Sequence, residues 1–294
     1  MNDILSKDFL PRIEVGQWFD AFVDWVNTHL QALLHFIDWL LKTALYDNIV
    51  AGFNWVPALV MAVIFAAIAW LIAGWRLGLF TLLGMLLIQS MRYWPEAMET
   101  LALVIVAAFF AILLAIPLGI VAGRNQTVGA IIKPVMDFMQ TMPAFVYLIP
   151  TLFFFGIGEV PGIVSTIIFA MPPGVRLTQL GIRQVDSEMV EAGYAFGSST
   201  SRILSRIQIP LAMPTIMAGI NQVIMLSLSM VVIAGIVGAG GLGGVVYGGI
   251  TRLDIAKGFE GGVGVVILAI FLDRLTAALG DRSAVAKAER ATTA

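Results

Sequence analysis

Residues 100–123 read TLALVIVAAFFAILLAIPLGIVAG, twenty-four positions without a charge, closed by Glu99 on one side and Arg124 on the other. At ~1.5 Å per residue such a helix covers about 36 Å, enough to cross the ~30 Å hydrocarbon core of a bilayer. The composition of the whole chain agrees. Of 294 residues, 59% are hydrophobic and 12% charged, whereas soluble domains run near 45–50% and about 25%. So few charges cannot cover that much apolar surface with a water-facing shell. The fold class expected is an all-α, multi-pass membrane protein. A formal net charge of −2 lacks the basic footprint of nucleic-acid binding. With no cysteine, disulfides, thiol catalysis and thiolate-held metals are excluded, and His29 and His35 are too few for a histidine metal centre.

Working outward, six more segments read as spans: 54–75, 77–91, 138–158, 160–175, 214–237 and 261–279. The second is only fifteen residues and crosses if Arg76 and Arg92 extend their charged ends to the interface. Gly74 to Gly78 reads as a tight turn, and Arg124, Asn125, Gln126 and Lys133 as a polar connection. Proline marks the other boundaries. Pro143 and Pro150 interrupt the fourth span, Pro172-Pro173 ends the fifth, and Pro214 opens the sixth. Seven spans put the termini on opposite sides. With the C-terminus inside, the inner face holds eleven of the seventeen Lys and Arg, leaving Lys7, Arg12, Lys42, Arg92, Arg252 and Lys257 outside. That bias predicts N-out, C-in.

The chain then divides into 1–48, a membrane domain over 49–280 and a cytoplasmic tail, 281–294. The start, MNDILSKD, has no basic stretch leading into an apolar one, so no cleavable signal is expected. Within 1–48, Trp18, Phe19, Phe22, Trp25, Val26, Leu33, Leu34, Ile37, Leu40 and Leu41 recur at helical spacing, with Asp20, Asp24, Asn27, Gln31 and Asp38 between them. This is an amphipathic helix. It fits either the membrane interface or a seat on its own protein.

The most polar interior stretch, about 183–214, lies between the fifth and sixth spans, on the predicted inner face. It contains Glu191-Ala192-Gly193-Tyr194-Ala195-Phe196-Gly197, nine further residues, then Ile207-Gln208-Ile209-Pro210. This resembles the EAA motif of ABC importer permeases: Glu-Ala-Ala, three residues, Gly, nine residues, Ile-x-Leu-Pro. The spacing matches throughout, and Gly193 and Ile209 are the two departures. The physical logic agrees with the resemblance. A short helix outside the membrane can seat in a partner's cleft. Glu191 can cap or pair there, Ala192 and Gly197 keep the surface small, and Gly197 can adopt a turn that larger residues resist. Pro210 would end the insert and redirect the chain.

Residues 137–150, 172–178, 237–243 and 249–255 look like the glycine betaine/proline betaine branch of these permeases. The resemblance implies a type I ABC importer permease of about seven transmembrane helices in a bacterial inner membrane. It also implies a second copy of this chain, two cytoplasmic ATPase subunits, and a periplasmic or lipid-anchored substrate-binding protein. No Walker-type motif occurs here, so ATP and Mg are expected on the partner and no cofactor or catalysis in this chain. The solutes of that branch are betaines, with choline and carnitine among related ones.

Polar residues at membrane depth are costly unless they line a path or bond a neighbour. Gln140, Thr141, Asn221 and Gln222 fit either role. Phe145 and Tyr147 are the aromatic faces nearest them for a quaternary amine. Gly240, Gly244 and Gly248 form a stripe suited to close helix packing. Asp273 and Arg274 read as an ion pair. The alternative, a secondary transporter of a small solute, would need mid-membrane coupling carboxylates and inverted repeats, and the sequence displays neither.

Overall fold

The structure, a computed structural model, describes residues 14–281. The predicted tail and the first thirteen residues, with Lys7 and Arg12, lie outside the described residues. Described residues are helical throughout, with no strand among them: α1 (Val15–His29), α2 (Gln31–Asp38), a π-helical stretch (Trp39–Tyr46), α3 (Asp47–Trp55), α4 (Ala58–Ala73), α5 (Trp75–Ser90), α6 (Trp94–Arg124), α7 (Gln126–Thr141), α8 (Ala144–Phe155), α9 (Glu159–Arg183), α10 (Ser187–Ala195), α11 (Thr200–Ile203), a second π-helical stretch (Leu204–Gln208), α12 (Ile209–Ala234), α13 (Gly241–Thr251) and α14 (Ile255–Asp281).

The expected spans fall on helical segments, though not one helix to each. Among the described residues four are long and apolar enough to cross outright: Trp94–Arg124, Glu159–Arg183, Thr200–Val237 and Ile255–Gly280. Two bent pairs raise the number to as many as six, and Trp75–Ser90 is a shorter apolar helix. Residues 100–123 form most of α6, and the core is built around them. Ala107, Ala111, Ala115 and Gly119 are all buried at four-residue spacing on α6. On α9 the same spacing carries Gly162, Thr166, Ala170, Gly174 and Thr178, again buried. The two stripes interlock. A Cβ on Gly174 would lie 2.9 Å from the Ala115 methyl, and one on Gly119 would lie 2.5 Å from Thr178 Cβ. In lipid, where apolar burial offers helices little advantage, such close backbone approach is what holds them together. α12 packs along α9 as well, and a Cβ on Gly174 would lie equally close to Val223 Cγ2 of α12, at 2.9 Å. Ser165, Thr166 and Ser227 return their buried hydroxyls to their own helix carbonyls at 2.6–3.0 Å, so they need no partner across the interface.

Several boundaries differ from those expected. Residues 124–133 are not a loop: Asn125 accepts hydrogen bonds from the Thr127 and Val128 N–H groups at 2.9 and 3.2 Å and caps α7. The fourth span is a pair, α7 and α8, bent by 98° at Met142-Pro143. Pro150 lies inside α8 without ending it. α9 runs through buried Pro172 and Pro173 to Arg183. Packed against both α6 and α12, it tolerates the lost donors, as membrane helices do. Pro214 sits inside α12 rather than opening it. The turn at 74–78 shrinks to Gly74, at φ +93°, with α5 starting on the next residue.

The glycine stripe is also reassigned. Gly244 meets no atom within 4 Å and Gly248 only the end of Lys257, whereas Gly235 and Gly249 press on the backbones of Gly243 and Gly258. The N-terminal helix continues past residue 48 to Trp55 and folds back at 105° into α4. Its π-helical part is tied to the start of α9 by Lys42 and Glu159 at 2.9 Å. Their side chains keep 43% and 27% exposure, so the pair is worth about 1 kcal/mol at most. A Lys42→Met variant should insert normally and unfold thermally within that margin of wild type.

Candidate functional site

The insert between α9 and α12 is a closed helical hairpin. Asp186 starts α10 by accepting the Glu188 N–H at 2.9 Å. Gly197, at φ +72°, ends it. The Gly197 N–H donates to the Tyr194 carbonyl at 2.9 Å and the Ser198 N–H to the Gly193 carbonyl at 3.0 Å. These are the two bonds of a Schellman cap, which requires a left-handed residue at this position. The returning arm, α11 and the π-helical stretch, packs on Gly193, where a Cβ would stand 2.9 Å from Ile207 Cδ1 and 3.1 Å from Ile203 Cγ1. Gly193 and Ile207 thus hold the hairpin's two arms together. The outer face is bare. Met189, Tyr194 and Phe196 are 50%, 51% and 89% exposed. Ala192 and Glu191 are exposed beside them, and Glu191 makes no hydrogen bond or ion pair among the described residues.

Pro210 does not redirect the chain. The hairpin's second arm and the sixth span are one helix, Thr200–Val237, thirty-eight residues long. The π-helical register at 204–208 precedes Pro210, which occupies the first turn of α12. The helix changes register just before this proline, which is where a missing N–H is accommodated within a continuous helix. The hairpin's second arm is thus continuous with the helix that packs beside α9. At this end Arg183 reaches across to the Ala122 carbonyl at 2.9 Å, gathering Arg124, Arg183, Arg202 and Arg206 near the hairpin. The far ends of α6 and α9 carry Glu96, Glu99 and Glu159, and Glu99 accepts the Gly241 N–H at 2.8 Å.

The candidate path residues are not brought together. Tyr147 is buried, stacks edge-on to Phe169 with centroids 5.9 Å apart, and donates its hydroxyl to the Met139 carbonyl. Gln140, Phe145 and Gln222 are exposed on this single chain. Asn221 is committed across helices. Its Nδ2 donates to Asp273 at 3.1 Å, and its Oδ1 accepts from Thr276 at 2.6 Å. Asp273 also lies 3.8 Å from Arg274. Asn221→Leu removes both bonds and leaves the half-buried Asp273 with Arg274, 3.8 Å away. A loss of about 0.5–2 kcal/mol is expected, read as a lower unfolding temperature in detergent. Replacing Gln222 in the same way should leave that temperature unchanged.

Residues 115–285 match the family model of the binding-protein-dependent transport system inner membrane component. The chain belongs to this family. Over 271 residues it is 49% identical to the glycine betaine transport system permease protein OpuAB of Bacillus subtilis, covering 92% of this chain and 95% of that one. Over 285 residues it is 48% identical to the glycine betaine/proline betaine transport system permease protein ProW of Escherichia coli, covering 96% and 79%. A chain of the MetNI methionine ABC transporter, solved in inward-facing conformations, shares the fold with a TM-score of 0.59 at 20% identity, over 64% of this chain and 94% of its own. The protein is accordingly a multi-pass permease subunit of an ABC transport system.

Two features of this permease were not anticipated. The first is the paired small-residue stripes of α6 and α9, whose four-residue repeat stands in the sequence. The second is an ion pair between Asp137 on α7 and Arg176 on α9, which joins the two helices. Both residues fall in segments that carry the family resemblance, but nothing local marks them as partners thirty-nine positions apart.

Proposed function

We propose that this permease imports glycine betaine, proline betaine or a closely related quaternary amine. In this reading it works as a homodimer with two cytoplasmic ATPases and a separate substrate-binding protein, its N-terminus outside and its C-terminus inside. The observation that carries the solute class is the 48–49% identity, over more than nine-tenths of the chain, to two permeases named for betaine transport. The hairpin supplies the mechanism. Its bare face of Met189, Glu191, Ala192, Tyr194 and Phe196 is the surface an ATPase cleft would take up. Closure of the ATPases would then move α12 and, through it, α9. The chain's own role is non-enzymatic, with ATP and Mg on the partner. Clustering of arginine at the hairpin end supports the orientation.

Uptake of labelled glycine betaine, proline betaine, choline and carnitine by cells carrying the complete system tests the solute. Betaines should be taken up best and should compete with one another. Transport of an unrelated solute without betaine competition would refute the assignment.

A further inference from the structure

α7 presents three faces. Gly129 and Met136 are buried against the bundle. Ile131, Val135 and Phe138, at helical spacing, form an exposed apolar face. Lys133, Asp137, Gln140 and Thr141, also at helical spacing, form a polar one, exposed except for the half-buried Asp137. At about 100° per residue the polar face points roughly opposite to the apolar one. Lys133 makes no hydrogen bond or ion pair among the described residues. Asp137 is paired with Arg176 of α9, and Thr141 donates its hydroxyl to the Phe138 carbonyl at 2.8 Å. Lipid suits the apolar face, and something else must meet the polar one.

Depth narrows what that can be. Met136 packs with Ala115 of α6 and Val175 of α9. Asp137 and Arg176 are the next residues on α7 and α9, so their pair lies near the level of Ala115. That level is about 13 Å along α6 from Arg124, well within the uncharged run 100–123. Arg176 and Asp137 nevertheless keep 41% and 47% exposure. Charges at such depth face a bundle interior or a water-filled cavity rather than lipid. A dry contact with a second copy would desolvate Lys133, Asp137 and Arg176 together and leave one cation unpaired, which is strongly unfavourable. We propose that the polar face of α7, with the Asp137–Arg176 pair, lines a water-filled passage in the assembled permease, over the half of the membrane nearer the hairpin. Gln140 and Thr141 carry it inward to the bend before α8, where the polar run gives way to Ala144-Phe145-Val146. The inference rests on the chain being a permease subunit, and on neither the solute nor the ATPase contact assigned above.

The chain has no cysteine, so one introduced thiol reports its own surroundings. The test uses the purified full-length complex, its other subunits made cysteine-free, in nanodiscs open on both sides. Single-cysteine variants are treated with a charged, membrane-impermeant methanethiosulfonate, with and without ATP. Gln140→Cys and Thr141→Cys should react at least about tenfold faster than Phe138→Cys in one or both conditions, because water ionises a thiol that lipid keeps protonated. Arg176→Cys should react as Gln140→Cys does. If it fails to fold for want of the ion pair, Gln140→Cys and Thr141→Cys decide alone. Rates at these positions no faster than at Phe138→Cys in either condition would overturn the passage. So would a disulfide between two copies at Gln140→Cys in place of modification, which would make the face a contact between copies. The rates do not depend on which solute is carried, so an error in the solute assigned above leaves them unchanged.

Discussion

Glu191→Lys is expected to abolish ATP-driven uptake while leaving the permease inserted and folded. Glu191 is exposed on α10 with no partner among the described residues, so reversing its charge disturbs none of their contacts. At a contact with the ATPase the same change places a like or unpaired charge in a desolvated interface. Removing one member of such a pair costs about 2–5 kcal/mol, and each 1.4 kcal/mol is tenfold in affinity. A fall on the order of a hundredfold in ATPase co-purification, with uptake at background, is the expected outcome. Glu191→Gln should fall between the two. Wild-type uptake in the lysine variant would remove the hairpin from the coupling path.

Gly197→Val is expected to have the second largest effect, by a different route. A Cβ at Gly197 meets no atom within 4 Å, so space is not the constraint. The constraint is φ, +72°, a region where a β-branched side chain is strained by about 1–3 kcal/mol. Relieving the strain breaks the two cap bonds to Tyr194 and Gly193, and swings α10 off Ile203 and Ile207. Uptake should fall at least about tenfold, with the detergent unfolding temperature of the bundle unchanged. Gly197→Asn, which tolerates the left-handed region, should retain most activity. Equal activity of the Val and Asn variants would show that the cap geometry is immaterial.

The helices were legible because a bilayer demands long uncharged runs, and charges such as Glu99 and Arg124 mark their ends. Proline was the poorest guide. Pro143 sits at a real bend, whereas Pro172 and Pro173 pass through α9, which packs against both α6 and α12. No local signal separates the two cases. The hairpin was legible through the fixed spacing of Glu191, Gly197 and Pro210, and the left-handed turn at Gly197 is what a glycine there suggested. The continuity of its second arm with α12 was not, since Pro210 reads as a stop and the π-helical register before it has no signature. Asn221 fitted two roles equally, because its partner Asp273 lies fifty-two positions away on α14. The glycine stripe failed for a similar reason. Spacing shows which glycines share a face, but only packing shows which face meets a neighbour.

The central claim is that this permease couples solute entry to ATP hydrolysis on a partner subunit. Its most direct test is uptake of labelled glycine betaine into proteoliposomes containing the purified complex, with the binding protein outside. Uptake is predicted to require ATP and Mg inside, to persist when ion gradients are collapsed, and to be lost in the Glu191→Lys complex. Uptake driven by an ion gradient in the absence of ATP would contradict the account.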